Sequence, residues 1–169
     1  AAPPPASVWG PPWCKFSNNT VPLLGGTAPK LELAYADIMT KIFPTANPVA
    51  PPCPFAEITL RASGSEGQAF QIVLTPQERL AASVTVSVPS SKGNATVFKM
   101  GYTDVSGVAD TATNNRTGPY PDALIPGTHG DMLPLPIGKA QPYWVQLSNL
   151  KASSSDRGEF YLSLSIATI

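Results

Sequence analysis

The chain has little charge, and this shortage excludes several partners. Asp, Glu, Lys and Arg make up 13% of the 169 residues, and eleven basic residues balance eleven acidic ones. No run of like charge occurs, so nucleic acid and anionic membrane surfaces, which need a concentrated basic patch, are not expected as partners. No stretch approaches the ~18 consecutive apolar residues of a transmembrane helix, so membrane insertion is not expected either.

Histidine is also scarce, which limits the possible chemistry. The single histidine, His129, lies in Gly127-Thr128-His129-Gly130-Asp131. A hydrolytic triad needs a histidine base beside a nucleophile, and neither a nucleophile-elbow motif nor a reactive cysteine accompanies His129. We interpret it as an exposed loop residue. The sequence therefore predicts no catalytic residue, no cofactor and, because two cysteines and one histidine lack ligand spacing, no metal site.

Acidic residues in predicted turns and loops leave two alternatives open. A glycosidase needs two carboxylates across about 5 to 9 Å of a cleft, and the sequence cannot pair them. The loop acids could instead bind calcium, although their spacing matches no calcium loop. The residues concerned are Glu66, Asp104, Asp110, Asp122 and Asp131. We expect Glu66 to stabilise the turn at residues 64–67 or to hydrogen-bond to the backbone nearby.

Only two cysteines are present, Cys14 and Cys53, and each stands among prolines. Free thiols in such loops would be exposed and unprotected, so we predict one disulfide over two free thiols. A bridge closing a loop of this length stabilises by about 4 kcal/mol in the chain-entropy model.

Three sequons, at Asn18, Asn94 and Asn115, fall in predicted loops or turns, as glycan attachment requires. The chain begins Ala-Ala-Pro-Pro-Pro without Met, which we interpret as a mature end left by signal removal; a trimmed piece is the alternative. Together with the disulfide, these features predict a secreted glycoprotein that is extracellular or at the cell surface.

Proline is abundant, with twenty residues, and glycine contributes thirteen. The first twelve residues are proline-rich and predict an extended segment without its own core. We therefore divide the chain into a proline-rich N-terminal arm, residues 1–30, packed on or disulfide-linked to a β-sandwich domain, residues 31–169. Trp9 and Trp13 either pack back on the sandwich or stand exposed.

Alternation of apolar and polar residues predicts strands from residue 57 onward. Turn residues separate the short runs, as is typical of an all-β, two-sheet antiparallel sandwich, either immunoglobulin/fibronectin-like or jelly-roll-like. The runs are Glu57–Ala62, Ala69–Leu74, Ser83–Val88, Val97–Tyr102, Tyr143–Leu147 and Phe160–Ile166.

Two segments are less regular. Leu31–Phe43 fits either a helical face or a strand, and we favour extended structure because the residues after it alternate. Residues 105–139 are rich in Gly, Pro, Asn and Thr and predict a long loop, of the kind that tends to be functional or loosely ordered.

Aromatic residues are the candidates for sugar binding, because exposed rings stack on the apolar faces of pyranoses. If 143 and 144 lie in a strand, one ring points inward and the other outward. Alternatively both faces are covered and no binding ring is left. The candidates are Tyr102, Tyr120, Tyr143 and Trp144, with Asp122 to bind hydroxyl groups.

A family resemblance lies in six segments that occur in order along the chain: Leu31–Pro44, Ile58–Ala62, Gly64–Leu74, Tyr120–Pro126, Gln141–Val145 and Gly158–Leu162. Together they resemble the non-catalytic β-sandwich domain that precedes the catalytic barrel in glycoside hydrolases related to β-N-acetylgalactosaminidases. The resemblance implies a sandwich fold in a glycan-rich setting and carries no catalytic residue to this chain, because that family's carboxylates lie in the barrel. The N-terminal region departs from the family pattern, as does Ala123, which replaces a proline.

The sequence thus predicts a non-catalytic extracellular module that is carbohydrate-associated, either as a binding domain or as a structural component of a cell surface, wall or fibril. Its expected partners are polysaccharide or glycoprotein glycans, or other copies bound through strand edges or the N-terminal arm. The alternative is an accessory domain of a secreted glycoside hydrolase whose barrel is absent from this chain.

Overall fold

The computed structural model describes residues 12–17, 30–55, 58–61, 66–89, 92–105, 118–125, 130–150 and 160–169. Within them the chain is all-β and forms two antiparallel sheets, which confirms the predicted β-sandwich. No helix among these residues is long and apolar enough to cross a bilayer. The strands are β1 (Trp13–Lys15), β2 (Leu31–Ala36), β3 (Gln68–Pro76), β4 (Leu80–Ser87), β5 (Asn94–Val105), β6 (Gly118–Ile125), β7 (Leu133–Leu135), β8 (Gln141–Ser148) and β9 (Tyr161–Thr168).

The larger sheet has the order β1-β2-β3-β8-β5-β6, and the smaller sheet has the order β7-β4-β9. The inner faces enclose one apolar core, because alternate residues of each strand point to the same side. In β4, Val84 and Val86 are buried, Thr85 is half-buried and Ser87 is exposed, as the alternation predicts. Ser83 departs from it, because it is buried and donates a hydrogen bond to the Gly130 carbonyl.

The core lies between β3, β5 and β8 of the larger sheet and β4 and β9 of the smaller one. The run Ala69–Leu74, predicted as a central strand, lies in β3 and pairs with β2 and β8. Aromatic rings extend this core towards the N-terminal side, since Tyr35 stacks on Phe70 at 6.1 Å and Phe55 meets Tyr35 edge-on at 5.5 Å. Burial of such rings is a major source of stability.

The predicted disulfide joins Cys14 to Cys53, with 4.8 Å between the Cα atoms. Cys14 lies in the edge strand β1 and is fully buried. Residues 51–53 run beside β1, because the Lys15 N–H donates to the Pro51 carbonyl and the Cys53 N–H donates to the Lys15 carbonyl. Part of the N-terminal segment is therefore fixed to the sandwich by both a covalent and a backbone link, while the division at residue 30 stays a prediction.

Leu31–Phe43, for which we favoured extended structure, is a strand over Leu31–Ala36 and turns at Asp37. Trp13 is half-buried and packs against a second buried cluster on the larger sheet. Trp9 lies outside the described residues.

Two predictions on elements were wrong. Residues 58–61 form no strand, although Ile58 and Leu60 pack on the core. Alternation of apolar and polar residues indicates that one side of an extended segment is buried. Residues 58–61 bury one side in this way but do not pair with another strand. The second error is the long loop over 105–139, which contains β6 and β7. Both are edge strands that contain proline, and an edge is where a sheet tolerates a missing N–H donor.

Candidate functional site

A non-strand segment, residues 37–50, crosses part of the outer face of the larger sheet; we call it the crossing segment. Its Ile42 is buried against Ala34, Ala36 and Val73. The Trp13 indole N–H donates to the carbonyl of Pro48 at 3.0 Å. The outer face of β1 and β2, and one end of the central strands, are therefore covered.

Local side-chain hydrogen bonds shape the crossing segment. Oδ1 of Asp37 accepts from the backbone N–H groups of Met39 and Thr40 at 3.0 and 2.8 Å, which is an Asx-type turn. The Asn47 side chain pairs with both backbone groups of Phe43, accepting from N–H at 2.8 Å and donating to the carbonyl at 2.6 Å. These bonds replace the sheet pairing that the segment lacks.

Gln71, in β3, connects the crossing segment to the sheet. It is 2% exposed, and its Nε2 donates to the carbonyl oxygens of Asp37 and Thr40, both at 2.8 Å. Its Oε1 has no hydrogen-bond partner among the described residues. A buried amide held by two backbone carbonyls fixes the start of the crossing segment over β3.

Tyr102 contacts the middle of the crossing segment. Its hydroxyl lies 3.2 Å from the carbonyl oxygen of Ile42 and 3.1 Å from that of Ala140. Burial raises the pKa of Tyr102 well above its ordinary value. Tyr102 was predicted as a sugar-binding candidate, but its hydroxyl already has hydrogen-bond partners within the protein.

Beyond the crossing segment, the outer face of β5 and β8 carries an aromatic and amide surface. Phe98 lies directly opposite Trp144, and in the next row Thr96 lies opposite Gln146. All four side chains are half-buried, and none is charged. We call these four residues the Trp144 face. No described residue donates a hydrogen bond to the side chains of Trp144 or Gln146, or accepts one from them, in contrast to Gln71.

The neighbours Tyr143 and Trp144 point to opposite sides of β8, as predicted. Tyr143 is 0% exposed and belongs to the core. Its hydroxyl has no partner among the described residues, and burial raises its pKa to about 12. Tyr143 therefore cannot stack on a sugar, whereas Trp144 is half-buried on the opposite face.

Tyr120 and Asp122 lie on β6, away from the Trp144 face. Tyr120 is opposite Thr103, which is five residues, or about 16 Å of strand, from Phe98. The Tyr120 ring contacts Phe43 edge-on at 5.3 Å, and the Lys41 ammonium lies 5.8 Å from its centroid. The structure thus does not bring the predicted aromatic candidates together in one site.

Four of the five predicted carboxylates are described, and none of the four belongs to the Trp144 face. Glu66, Asp104, Asp122 and Asp131 are exposed. Asp110 and His129 lie outside the described residues. Within the described part of the chain, no three His, Cys, Asp or Glu side chains gather into a group that could hold a metal ion.

Of the three sequon asparagines, only Asn94 is described. It is exposed and begins β5, where it lies opposite Ser148. Asn18 and Asn115 lie outside the described residues, so their predicted glycosylation stays a prediction.

Sequence reasoning identified Trp144 and missed Phe98, Thr96 and Gln146. The alternation in 97–102 does not indicate that Phe98 points away from the core, because Phe98, Met100 and Tyr102 alternate with Lys99 and Gly101. That pattern favours Phe98 on the core side, whereas the structure buries Val97 there. What the sequence lacks is the pairing of β5 with β8, which sets these side chains next to one another.

Comparison with known proteins gives limited information. No protein-family model matches, and no curated protein matches. Among solved structures, a family 123 glycoside hydrolase from Clostridium perfringens, studied for glycolipid glycan hydrolysis, is similar with a TM-score of 0.44 and 14% identity. The similarity covers 63% of this chain and 19% of that chain, so this chain matches about a fifth of that enzyme's length. It establishes no shared activity, and the correspondence to the domain before the barrel stays a prediction.

Proposed function

We propose that the chain is a non-catalytic extracellular module that binds neutral glycans through the Trp144 face. The observation that carries the proposal is the register that sets Trp144 opposite Phe98 and Gln146 opposite Thr96 on the outer face of the sandwich. Two rings offer an apolar surface for pyranose C–H groups, and the adjacent amide and hydroxyl offer donors and acceptors for sugar hydroxyls. The absence of charge among these four residues favours a neutral ligand over an acidic one.

The rigidity of this surface supports binding. β8 pairs with β3 on one side and with β5 on the other along the Trp144 face, so the backbone that carries Trp144 and Gln146 is held with little freedom. A preorganised surface loses less conformational entropy when it binds a ligand. The disulfide supports an extracellular setting, because such bonds persist in oxidising compartments.

Affinity electrophoresis and calorimetry with neutral soluble polysaccharides test this function. We expect Trp144→Ala to weaken binding at least tenfold, which corresponds to about 1.4 kcal/mol. The matched control is Tyr120→Ala, which removes an aromatic ring elsewhere on the larger sheet and should leave affinity unchanged. Equal affinity of Trp144→Ala and the parent chain for every bound polysaccharide would overturn the proposal.

Hydrolysis assays test the non-catalytic part of the proposal. We expect no release of product from chromogenic N-acetylhexosaminides or from bound polysaccharide. Release that disappears on substitution of one exposed carboxylate, such as Asp122→Asn, would assign an active site instead. An accessory role beside a separate catalytic domain would use the same face, and the coding sequence of the natural protein decides whether such a domain exists.

Self-association through β9 is a second candidate function, favoured by the composition of the sheet edges. β1 and β7 are short, and β6 and β7 contain proline, all of which discourage pairing with another strand. β9 has eight residues with no charge and no proline, and no described strand pairs with its outer edge. Such an edge is a template for an added strand.

The sequence of β9 also suits a second copy of itself. Antiparallel pairing centred on Leu164 sets Leu162 opposite Ile166 and Ser163 opposite Ser165. Every pair then matches apolar with apolar or hydroxyl with hydroxyl, as a two-fold symmetric interface requires.

Sedimentation velocity at increasing concentration tests this second candidate. We expect a dimer that Ser163→Lys abolishes, because lysine on an edge strand opposes pairing. Ser87→Lys is the control, since it adds the same charge at an exposed position of β4, which pairs with the inner edge of β9 and not with its outer edge. A parent chain that stays monomeric up to millimolar concentration contradicts self-association and leaves glycan binding unaffected.

A further inference from the structure

The Asn94 sequon lies at one end of the Trp144 face. Asn94 is exposed and begins β5 directly after the turn in which the Lys92 N–H donates to the Pro89 carbonyl at 2.7 Å. Thr96, the third residue of the sequon, is itself part of the Trp144 face. A glycan on Asn94 would therefore start at the surface and next to the proposed binding residues.

Strand geometry gives the side of β5 to which Asn94 points and its distance from the rings of the Trp144 face. Alternate residues of a strand share a face, so Asn94, Thr96 and Phe98 point to the same side of β5. Asn94 lies about 7 Å of strand from Thr96 and about 14 Å from Phe98. Its partner in β8 is the small residue Ser148, and on these two strands the row of Thr96 and Gln146 is the one row between Asn94 and the rings.

We propose that Asn94 carries an N-linked glycan whose inner saccharides lie on the Trp144 face and occupy it. The inference rests on the proposed glycan-binding function of that face. In the modification, Nδ2 of Asn94 attacks C1 of the reducing sugar of a lipid-pyrophosphate-linked oligosaccharide. The C1–O bond breaks, the lipid pyrophosphate leaves, and the amide loses one proton. The inner N-acetylglucosamine residues bring apolar ring faces and acetamido groups, which complement the rings and the Gln146 amide.

The tethered glycan acts as an internal competitor. A ligand on a short linker has an effective concentration in the millimolar range, so an external polysaccharide must displace it before binding. The glycosylated chain should therefore bind polysaccharide at least tenfold more weakly than the unglycosylated chain. Glycosylation then sets whether the module binds external glycans.

The first measurement is site occupancy on protein secreted from eukaryotic cells. Glycopeptide mass spectrometry should find a glycan on Asn94, and Asn94→Gln should remove it. Thr96→Ser keeps the sequon and serves as the control for altering a residue of the face, whereas Thr96→Ala removes the sequon without changing Asn94. An unmodified Asn94 in the secreted protein overturns the inference.

The second measurement tells whether the glycan covers the face. Hydroxyl-radical footprinting should label Trp144 at least threefold more in Asn94→Gln than in the glycosylated chain, with Trp13 as the internal reference. Equal labelling in the two proteins overturns the inference even when Asn94 is occupied.

Failure of the proposed function has a different signature. The chain made without glycosylation, in an oxidising bacterial compartment, tests polysaccharide binding alone. If it binds none, the function of the face is wrong, whereas occupancy and footprinting still report on Asn94. If it binds and the glycosylated chain binds equally well, the competition is wrong and the function stands.

Discussion

The outer face of the larger sheet has two parts, and they differ in how their polar groups are used. Under the crossing segment, the Gln71 amide donates to two backbone carbonyls and the Tyr102 hydroxyl lies between two more. On the Trp144 face, Gln146 and Trp144 make no side-chain hydrogen bond to the described residues. The hydrogen bonds of the covered part fix the crossing segment and so serve stability, whereas we propose that the half-buried groups of the open part bind a ligand.

The largest expected effect comes from the disulfide, which lies at the β1 end of the larger sheet, where Cys53 packs on the core. Replacing both cysteines, Cys14→Ala with Cys53→Ala, removes a link between residues 39 apart. The chain-entropy model predicts a loss of about 4 kcal/mol in the free energy of unfolding. Urea unfolding of the double variant and the parent measures this loss.

Glycan binding provides the control for that experiment. Below the unfolding transition, the double variant should bind polysaccharide as the parent does, because the Trp144 face lies on strands that the bridge does not touch. A loss below 1 kcal/mol would show that hydrogen bonding of residues 51–53 to β1 holds this region without the bridge.

Two glutamines on the same face sharpen the comparison. Gln71→Leu removes both hydrogen bonds to the crossing segment and leaves two carbonyls without a donor, so we expect a loss of about 2 kcal/mol. Gln146→Leu, on the open part, should change stability by less than about 0.5 kcal/mol. Urea unfolding of both variants measures the pair. Equal losses would mean that the two glutamines serve the same purpose and would remove the distinction between the parts.

Strands in which apolar and polar residues alternate were predicted from the sequence. Strands that contain proline were predicted as a loop. β4, β8 and β9 have a clean period of two, and all three were predicted. β6 contains Pro119 and Pro121, which remove N–H donors and which we took as a sign of a loop. An edge strand needs donors on one side only, so proline was a poor indicator there.

The candidate site was predictable only in part, for a reason of chain topology. Alternation alone separates Tyr143 from Trp144, since it needs no knowledge of the neighbouring strands. The placement of Phe98 beside Trp144 depends on the β5–β8 register. The covering of Gln71 depends on contacts between residues more than thirty positions apart. Such long-range contacts leave no local pattern in the sequence.

Alkaline unfolding gives a smaller effect that concerns the core and the covered part. Burial raises the pKa of Tyr143 to about 12 and also raises that of Tyr102. The pKa of a tyrosine in the unfolded chain is about 10, so below pH 10 both states are protonated and the free energy of unfolding keeps its full value. Above pH 10 the unfolded state loses its proton first, and the free energy of unfolding falls by up to about 1.4 kcal/mol per pH unit for a fully buried tyrosine. Urea unfolding between pH 9 and 11.5 measures this slope, and Tyr143→Phe should reduce it. An unchanged slope in Tyr143→Phe would show that other groups cause the alkaline loss.

The smallest effects distinguish the two buried hydroxyl groups at neutral pH. Tyr102→Phe leaves the carbonyls of Ile42 and Ala140 without this donor, so we expect a loss of about 1 kcal/mol. Tyr143→Phe removes a buried hydroxyl that has no partner among the described residues, so the free energy of unfolding should stay the same or rise by up to about 1 kcal/mol. Each substitution deletes one tyrosine hydroxyl, so the difference between the two free-energy changes in urea unfolding would measure the hydrogen bonding of Tyr102 to Ile42 and Ala140. A loss in Tyr143→Phe as large as that in Tyr102→Phe would reveal a hydrogen-bonded partner for Tyr143 inside the sandwich.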